Sequence, residues 1–390
     1  MLFFQTFIKQ GIKMKLTKLS LVAALAVSTA FAGGDIAPVE PVVEAPVKAA
    51  CNDNTTINGK AVAYYLTSDA GSASMFDKDT SALGTAITLD VSHKITENFT
   101  ANFTAVGYAN LLDNYMESKE TGAFFNVANI TATFGDTTFV AGRQLLDTPM
   151  LGGFDWLLAP GAFEAYTLVN SSIENVTLVG SYVTKWRPNN IGDNFIDLTD
   201  VNDGNNWTLG AAYDDKTMNA SLWYYNVDAS DYTQFYVDAG YDLGSAKVSA
   251  QYVLTDYAHA DDSKAFGLKA STSVAGYDLM LGYTNVQDNS AGFVGRDTLY
   301  ASSWNTFAST VGGNSFKVEA AKEFDALSAT ASYAYYEYNQ GTGTEDGHEF
   351  DLILGYGVTD CISADVVYSN TDFGDGENIN ALEVVATYKF

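Results

Sequence analysis

The chain has 390 residues, with 47 Asp and Glu against 20 Lys and Arg, for a formal net charge of −27. Hydrophobic residues make up 47% and aromatics 13%, and there are only 2 Cys and 3 His. This composition excludes a disordered chain, a disulfide-dense scaffold and a nucleic-acid binder, which needs clustered Lys and Arg for phosphate contacts. Beyond the first 32 residues no apolar run approaches the roughly 18–20 residues of a membrane-crossing helix.

Met14-Lys15-Leu16-Thr17-Lys18 opens a basic segment, Leu19 to Thr29 is apolar, and Ala30-Phe31-Ala32 before Gly33 fits a small-x-small cleavage site. Residues 14–32 therefore read as a secretory signal peptide, and residues 1–13 as an upstream extension from a misplaced start. Four of the 20 basic residues fall in residues 1–32, which leaves 16 against 47 acids and a charge of −31 in the exported chain. Residues 33–50 carry Pro38, Pro41 and Pro46 among Val, Glu and Ala, and read as an extended periplasmic linker. Residues 51–390 are expected to form one structural unit. Export permits a disulfide between Cys51, ahead of the first strand, and Cys361, in a turn near the end. Two free thiols are the alternative.

From Ile57 to Phe390 apolar residues recur with period two. Phe99, Ala101, Phe103 and Ala105 alternate with Thr100, Asn102 and Thr104. Val248, Ala250, Tyr252 and Leu254 alternate with Lys247, Ser249 and Gln251. Tyr277, Leu279, Leu281 and Tyr283 do the same, as do Leu382, Val384, Ala386, Tyr388 and Phe390. Strict alternation marks strands with one apolar and one polar face. Connections alternate between short ones, such as Ile95–Asn98 and Val274–Gly276, and longer polar ones, such as Arg187–Gly204 and Gln287–Asn314. The count is eighteen strands, with sixteen as the other even number within reach. Lipid cannot satisfy an open sheet edge, so a membrane sheet must close. The pattern therefore predicts an all-β, transmembrane, antiparallel up-and-down β-barrel, with aromatics at strand ends as interface girdles. A soluble sandwich of this size would not need the short-long rhythm.

The third long connection, Gly142 to Pro160, breaks the alternation. It is apolar, with Met150, Leu151, Phe154, Trp156, Leu157 and Leu158. The expected fate of this loop is to fold into the barrel, with Phe154 and Trp156 as its wedge. A contact surface for another subunit or for lipopolysaccharide is the alternative. Arginine is scarce. Arg143 at the base of this loop and Arg187 at the base of the next, facing Asp147, Asp155 and Glu164, are the expected pore-constriction set. Their charges would set a transverse field across the opening. Ordinary loop-base ion pairs are the bland alternative.

Catalytic motifs are missing: there is no HExxH, phosphate loop or GxSxG, and His93, His259 and His348 stand in no recognisable motif. No enzyme activity and no cofactor are expected. The acidic loops, among them Asp372-Phe373-Gly374-Asp375-Gly376-Glu377, leave Ca2+ binding open beside a plain solvated exterior, and no metal ligands are assigned.

The signal peptide, the strand rhythm, the Gly142-Arg143-Gln144 to Trp156 segment and the terminal Phe390 together resemble the Opr (OprD-like) porin family, in particular the epsilonproteobacterial major outer-membrane porins. The resemblance spans residues 51–390. It implies an eighteen-stranded channel in the outer membrane of a Gram-negative cell, passing ions and small hydrophilic solutes, with Phe390 as the membrane-targeting residue. Its implied partners are outer-membrane lipid and lipopolysaccharide, the barrel-assembly machinery and a homotrimer. The charge balance adds an expected preference for cations. Alternatives are a substrate-selective porin for amino acids or carboxylates and a loop-displaying surface or adhesion barrel. The OprD-like branch guides carboxylates along a ladder of basic residues, and a chain with only Arg143, Arg187 and Arg296 departs from that pattern.

Overall fold

The computed structural model describes residues 54–72, 74–113, 121–153, 157–188, 195–198, 204–339, 344–374 and 376–390. Strands dominate. The first nine are β1 (Thr55–Ser68), β2 (Ser81–Lys94), β3 (Phe99–Asp113), β4 (Thr121–Phe134), β5 (Thr137–Gln144), β6 (Ala162–Ile173), β7 (Val176–Arg187), β8 (Ile196–Asp197) and β9 (Asn206–Asp214). The rest are β10 (Met218–Val227), β11 (Tyr232–Asp242), β12 (Lys247–Tyr257), β13 (Ser263–Val274), β14 (Tyr277–Gln287), β15 (Gly313–Phe324), β16 (Leu327–Asn339), β17 (Thr344–Thr359), β18 (Ile362–Asp372) and β19 (Asn378–Lys389). Eighteen of them follow one another round a closed antiparallel barrel. The exception, β8, is a two-residue strand laid on β7, which continues directly to β9.

Closure is made by the first and last strands. Ala61 pairs with Tyr388 and Ala63 with Ala386. The terminal residue extends the ladder: Gly59 N–H donates to Phe390 O at 2.8 Å, and Phe390 N–H donates to Gly59 O at 2.9 Å. Among the described residues the eighteen barrel strands leave no open edge between them, as a sheet in hydrocarbon requires.

The period-two pattern sorts into two faces. Outward rows expose apolar side chains to the surroundings: Phe103 is 48% exposed, Leu281 61% and Leu268 47%. An exposed apolar belt on this scale is stable only against lipid. At the short-turn end the belt finishes in aromatics. Phe99 and Phe134 meet edge to face at 5.7 Å, and Lys322 Nζ lies 3.9 Å from the centre of the Tyr277 ring. The lysine stem covers apolar surface while its ammonium reaches the interface. Inward rows are polar and buried, for example Ser221, Asp238, Gln251, Thr255, Glu349, Asp351 and Glu383.

The barrel is not an empty tube. Two segments fold into it: the described parts of the β5–β6 connection (145–153 and 157–161) and the β14–β15 connection (288–312). Met150, Leu151 and Leu158 of the first, and Ala291, Leu299, Ala301, Trp304 and Val311 of the second, are buried. The inward course of the β5–β6 loop was expected. That of 288–312 was not, because its sequence reads as one more polar loop.

Candidate functional site, the lumen constriction

The β5–β6 loop makes a small hairpin in which Asp147 bridges to Gly152. Thr148 N–H donates to Leu151 O at 3.1 Å, and Gly153 N–H to Leu146 O at 3.0 Å. The tip, Pro149-Met150, is held by Tyr225 of β10. Its phenol donates to Thr148 Oγ1 at 3.2 Å and accepts from Met150 N–H at 3.3 Å. Met150, Leu151 and Leu146 pack with Phe163, Val183, Trp223 and Tyr236 on the inner wall. Fully burying such an aliphatic side chain contributes about 1.5–3 kcal/mol, so the loop is held by its own hydrophobic content. The segment's return, Leu158 and Ala159, packs instead with Val62 and Tyr64 of β1, Val106 of β3 and Trp304.

The β14–β15 segment lies against this hairpin as a strap. Leu151 and Val294 form a parallel bridge, in which Val294 N–H donates to Met150 O at 2.9 Å and Gly152 N–H to Val294 O at 3.0 Å. At one end the strap is fixed to β11 and β12. Gln234 Nε2 donates to Gly292 O at 2.9 Å, and Tyr257 Oη to Ser290 O at 2.9 Å. At the other end it is fixed to β15–β19. Lys317 Nζ donates to Ser302 O at 3.1 Å, and Tyr336 Oη to Ala301 O at 3.0 Å. Glu349 accepts Asn305 N–H at 2.6 Å, and Glu383 accepts the Trp304 indole N–H at 2.9 Å. Wall carboxylates thus satisfy backbone and indole donors that a buried loop would otherwise leave unpaired. Within the strap, Asp297 is buried and accepts from Ser302 Oγ at 2.8 Å and from Ser309 N–H at 3.0 Å. Burial pushes its carboxyl above the ordinary carboxylate range.

The two inward segments also meet in charge. Arg296 of the strap pairs with Asp147 of the hairpin, their side chains 16% and 15% exposed. This cation–anion pair still reaches solvent within the narrowed lumen.

The expected constriction set is distributed differently. Asp147 is at the hairpin, but its partner is Arg296. Arg143 and Glu164 face each other across β5 and β6 at 3.4 Å, each 32% exposed. They stand in the same alternating rows as the outward-facing Phe139, Tyr166 and Leu168, so they belong to the outer face rather than the eyelet. Lys185 joins them, 3.9 Å from Glu164, and the Arg143 guanidinium lies 4.2 Å from the centre of the Phe195 ring. Arg187 is fully buried. It donates to Asn126 Oδ1 at 2.8 Å and to Pro160 O at 2.6 Å, and covers the Phe124 ring at 4.3 Å. There it pins the end of the β5–β6 loop to the wall. Phe154, Asp155 and Trp156 lie outside the described residues, as does Cys51; Cys361 is an exposed thiol in the β17–β18 turn.

Sequence reasoning weighed arginines and passed over lysines. Lys247, Lys269, Lys317 and Lys389 each neighbour an outward-facing apolar residue on their strand and therefore point inward, as Lys60 does. Lys269 and Lys317 stand level with each other, either side of Gly282. The signal was available in the alternation itself, once each strand's apolar face was assigned to lipid.

Among the described residues no group of three or more His, Cys, Asp or Glu is placed to hold a metal ion. Asp372 caps its own loop, accepting Gly374 N–H at 2.9 Å. Of the histidines, His93 bonds Thr55 Oγ1 at 2.8 Å, His348 stacks on Tyr333, and His259 is exposed.

The sequence matches no protein-family model and no curated protein. The fold does have solved counterparts. Pseudomonas aeruginosa OccK9 (OpdG) is similar with a TM-score of 0.75 at 16% identity, over 86% of this chain and 98% of that one. P. aeruginosa OpdK, solved with vanillate, gives 0.74 at 17% identity, over 87% and 98%. Acinetobacter baumannii OccAB2 gives 0.72 at 15% identity, over 88% and 99%. The eighteen-stranded barrel of this chain is thus the fold of the OprD/Occ outer-membrane channels.

Proposed function

We propose that this chain is an outer-membrane porin, a passive diffusion channel for ions and small hydrophilic solutes. The observation that carries the reading is a closed barrel with an apolar exterior whose polar lumen is narrowed by two stapled segments bearing the Asp147–Arg296 pair. Solutes move down their gradient through water, and the two segments set the size limit. A charge pair at the narrowing orients dipolar solutes, as a preorganised field does in any low-dielectric passage.

Cation preference follows from the inward acids. Asp90, Asp214, Asp238, Asp242, Asp278, Glu319, Glu323, Glu345, Glu349, Asp351, Asp365 and Glu383 outnumber Lys60, Lys94, Lys247, Lys269, Lys317 and Lys389 on the inward rows. The margin is far smaller than the charge of the whole chain suggests. The level pair Lys269 and Lys317 favours a second reading, in which a carboxylate-bearing solute is guided along that wall.

Purified protein in a planar bilayer under a KCl gradient tests both. Stepwise openings with a cation-selective reversal potential support the proposal. An open, anion-selective channel gives control to the lysine wall. Inserted protein without conductance removes the channel reading and leaves a barrel that only displays its loops.

A further inference from the structure

Beside the strap, the inward rows of β10 to β13 form a second polar patch. Ser221 stands opposite Asp238, Asp238 opposite Gln251, and Ser249 opposite Lys269. Tyr300 of the strap lies on top, with Lys269 Nζ 4.6 Å from its ring centre. The wall is thinned to receive it. A Cβ at Gly267 would come 2.8 Å from Gln251 Cγ and 3.2 Å from Tyr300 Cδ2, and one at Gly282 would come 2.4 Å from Tyr300 O. Glycines on β13 and β14 thus leave a recess that Tyr300 fills.

The recess is badly satisfied as it stands. Both amide atoms of Gln251 are buried and have no hydrogen-bond partner, and the Ser249 hydroxyl has only the Tyr300 phenol beside it. Asp238, Gln251, Ser249 and Tyr300 are each more than nine-tenths buried. Buried polar groups are almost always paired, and a concentration of unpaired ones on a channel wall points to an occupant that pairs them.

We propose that this recess is a solute-binding subsite for a small uncharged polyol, filled by the Tyr300 ring until solute displaces it. The proposal rests on the porin reading. Its chemistry follows from the groups left to a solute once Tyr300 moves: an acceptor (Gln251 Oε1), a donor (Gln251 Nε2) and the Ser249 hydroxyl. A polyol hydroxyl both donates and accepts, so it matches all of them. Asp238 already faces the charges of Lys269 and Lys247, so the recess holds its own counter-charges and its deficit is in hydrogen bonds. Occupation moves the Tyr300 ring off the patch and toward the passage, which obstructs ion flow.

The test is KCl conductance of single channels in a planar bilayer while sorbitol is titrated, with gluconate and protonated glucosamine as charged counterparts. A saturable fall in conductance with sorbitol, beyond the linear fall from bulk viscosity, is expected. Gln251→Leu removes a donor and an acceptor and is expected to raise the half-blocking concentration about tenfold, the equivalent of one charged or two neutral hydrogen bonds. Ser249→Ala, which deletes one hydroxyl, raises it less and supplies the result if Gln251→Leu does not assemble. A conducting channel with only the linear fall overturns the subsite and spares the porin. Saturation by gluconate or glucosamine at lower concentration than by sorbitol overturns the solute class, and an unchanged block in both variants overturns the location. Folded protein without conductance overturns the porin reading and the subsite with it.

Discussion

Arg296 pairs with Asp147 although 148 positions separate them in sequence, and the pair joins the two segments that fill the barrel. One partner sits on a hairpin stabilised by its own apolar residues. The other sits on a strap held by its buried apolar residues and by hydrogen bonds that polar wall residues offer it. In the proposed channel, the pair is where a size filter and a charge filter would coincide.

Breaking this pair is expected to act on both. Arg296→Gln leaves Asp147 without its cation and moves the reversal potential further toward cations. Asp147→Asn frees Arg296 and moves it toward anions. Each loses a charge-assisted bond of about 1.5–3 kcal/mol, so thermal unfolding in detergent should fall in both variants. Equal reversal potentials in the two variants would remove the pair from the conduction path.

Gly295 has φ of 80°, and a Cβ there would lie 2.1 Å from Gly152 O. Gly295→Ala therefore pushes the strap off the hairpin at the point where Val294 bridges Leu151. Strain at a left-handed position of this kind costs about 1–3 kcal/mol. The expected result is a larger and noisier single-channel conductance from a barrel that still forms. Wild-type conductance in this variant would show that the bridge does not set the opening.

The strap's stability should depend on pH through Asp297. Its carboxyl is raised by burial, so the fold favours the protonated form. The contribution is fully present below the ordinary carboxylate value and is lost as pH climbs from there through the raised one. Asp297→Asn keeps the shape and removes the titration. The melting temperature of the wild type should therefore fall more steeply than that of the variant as pH rises above the ordinary carboxylate range. Parallel pH profiles would exclude Asp297 as the source.

The seam gives a fourth expectation. The Phe390 ring lies where a Cβ on Gly59 would be, with contacts of 2.4 and 2.5 Å, and the two backbones exchange hydrogen bonds. Deleting Phe390 removes both bonds and the ring. The fraction of protein reaching the heat-modifiable, folded form on unboiled gels should drop, while Phe390→Tyr, which keeps the backbone and ring, should retain it. Full assembly of the deletion would place closure in β1 and β19 alone.

The sequence by itself determined the barrel. Alternation at Phe99–Ala105, Tyr277–Tyr283 and Leu382–Phe390 needs no partner to be read, because the two faces of a strand meet two different solvents. The same alternation also carries Lys269, Lys317 and Glu349 to the lumen, but this becomes legible only once the lipid-facing row of each strand is known. The apolar run Met150–Leu158 foretold an inward loop, since water would not keep it outside. The tertiary structure decided what the inward segments meet. Residues 288–312 look like a polar loop because their anchors are polar, and Glu349, Asp351 and Glu383 become anchors only once β17 and β19 stand beside Trp304 and Asn305. Arg143 shows the converse. Proximity to the loop in sequence suggested the eyelet, but one step along a strand turns a side chain from lumen to exterior. Which charge faces which is fixed by register and closure, and these are properties of the whole barrel rather than of any segment.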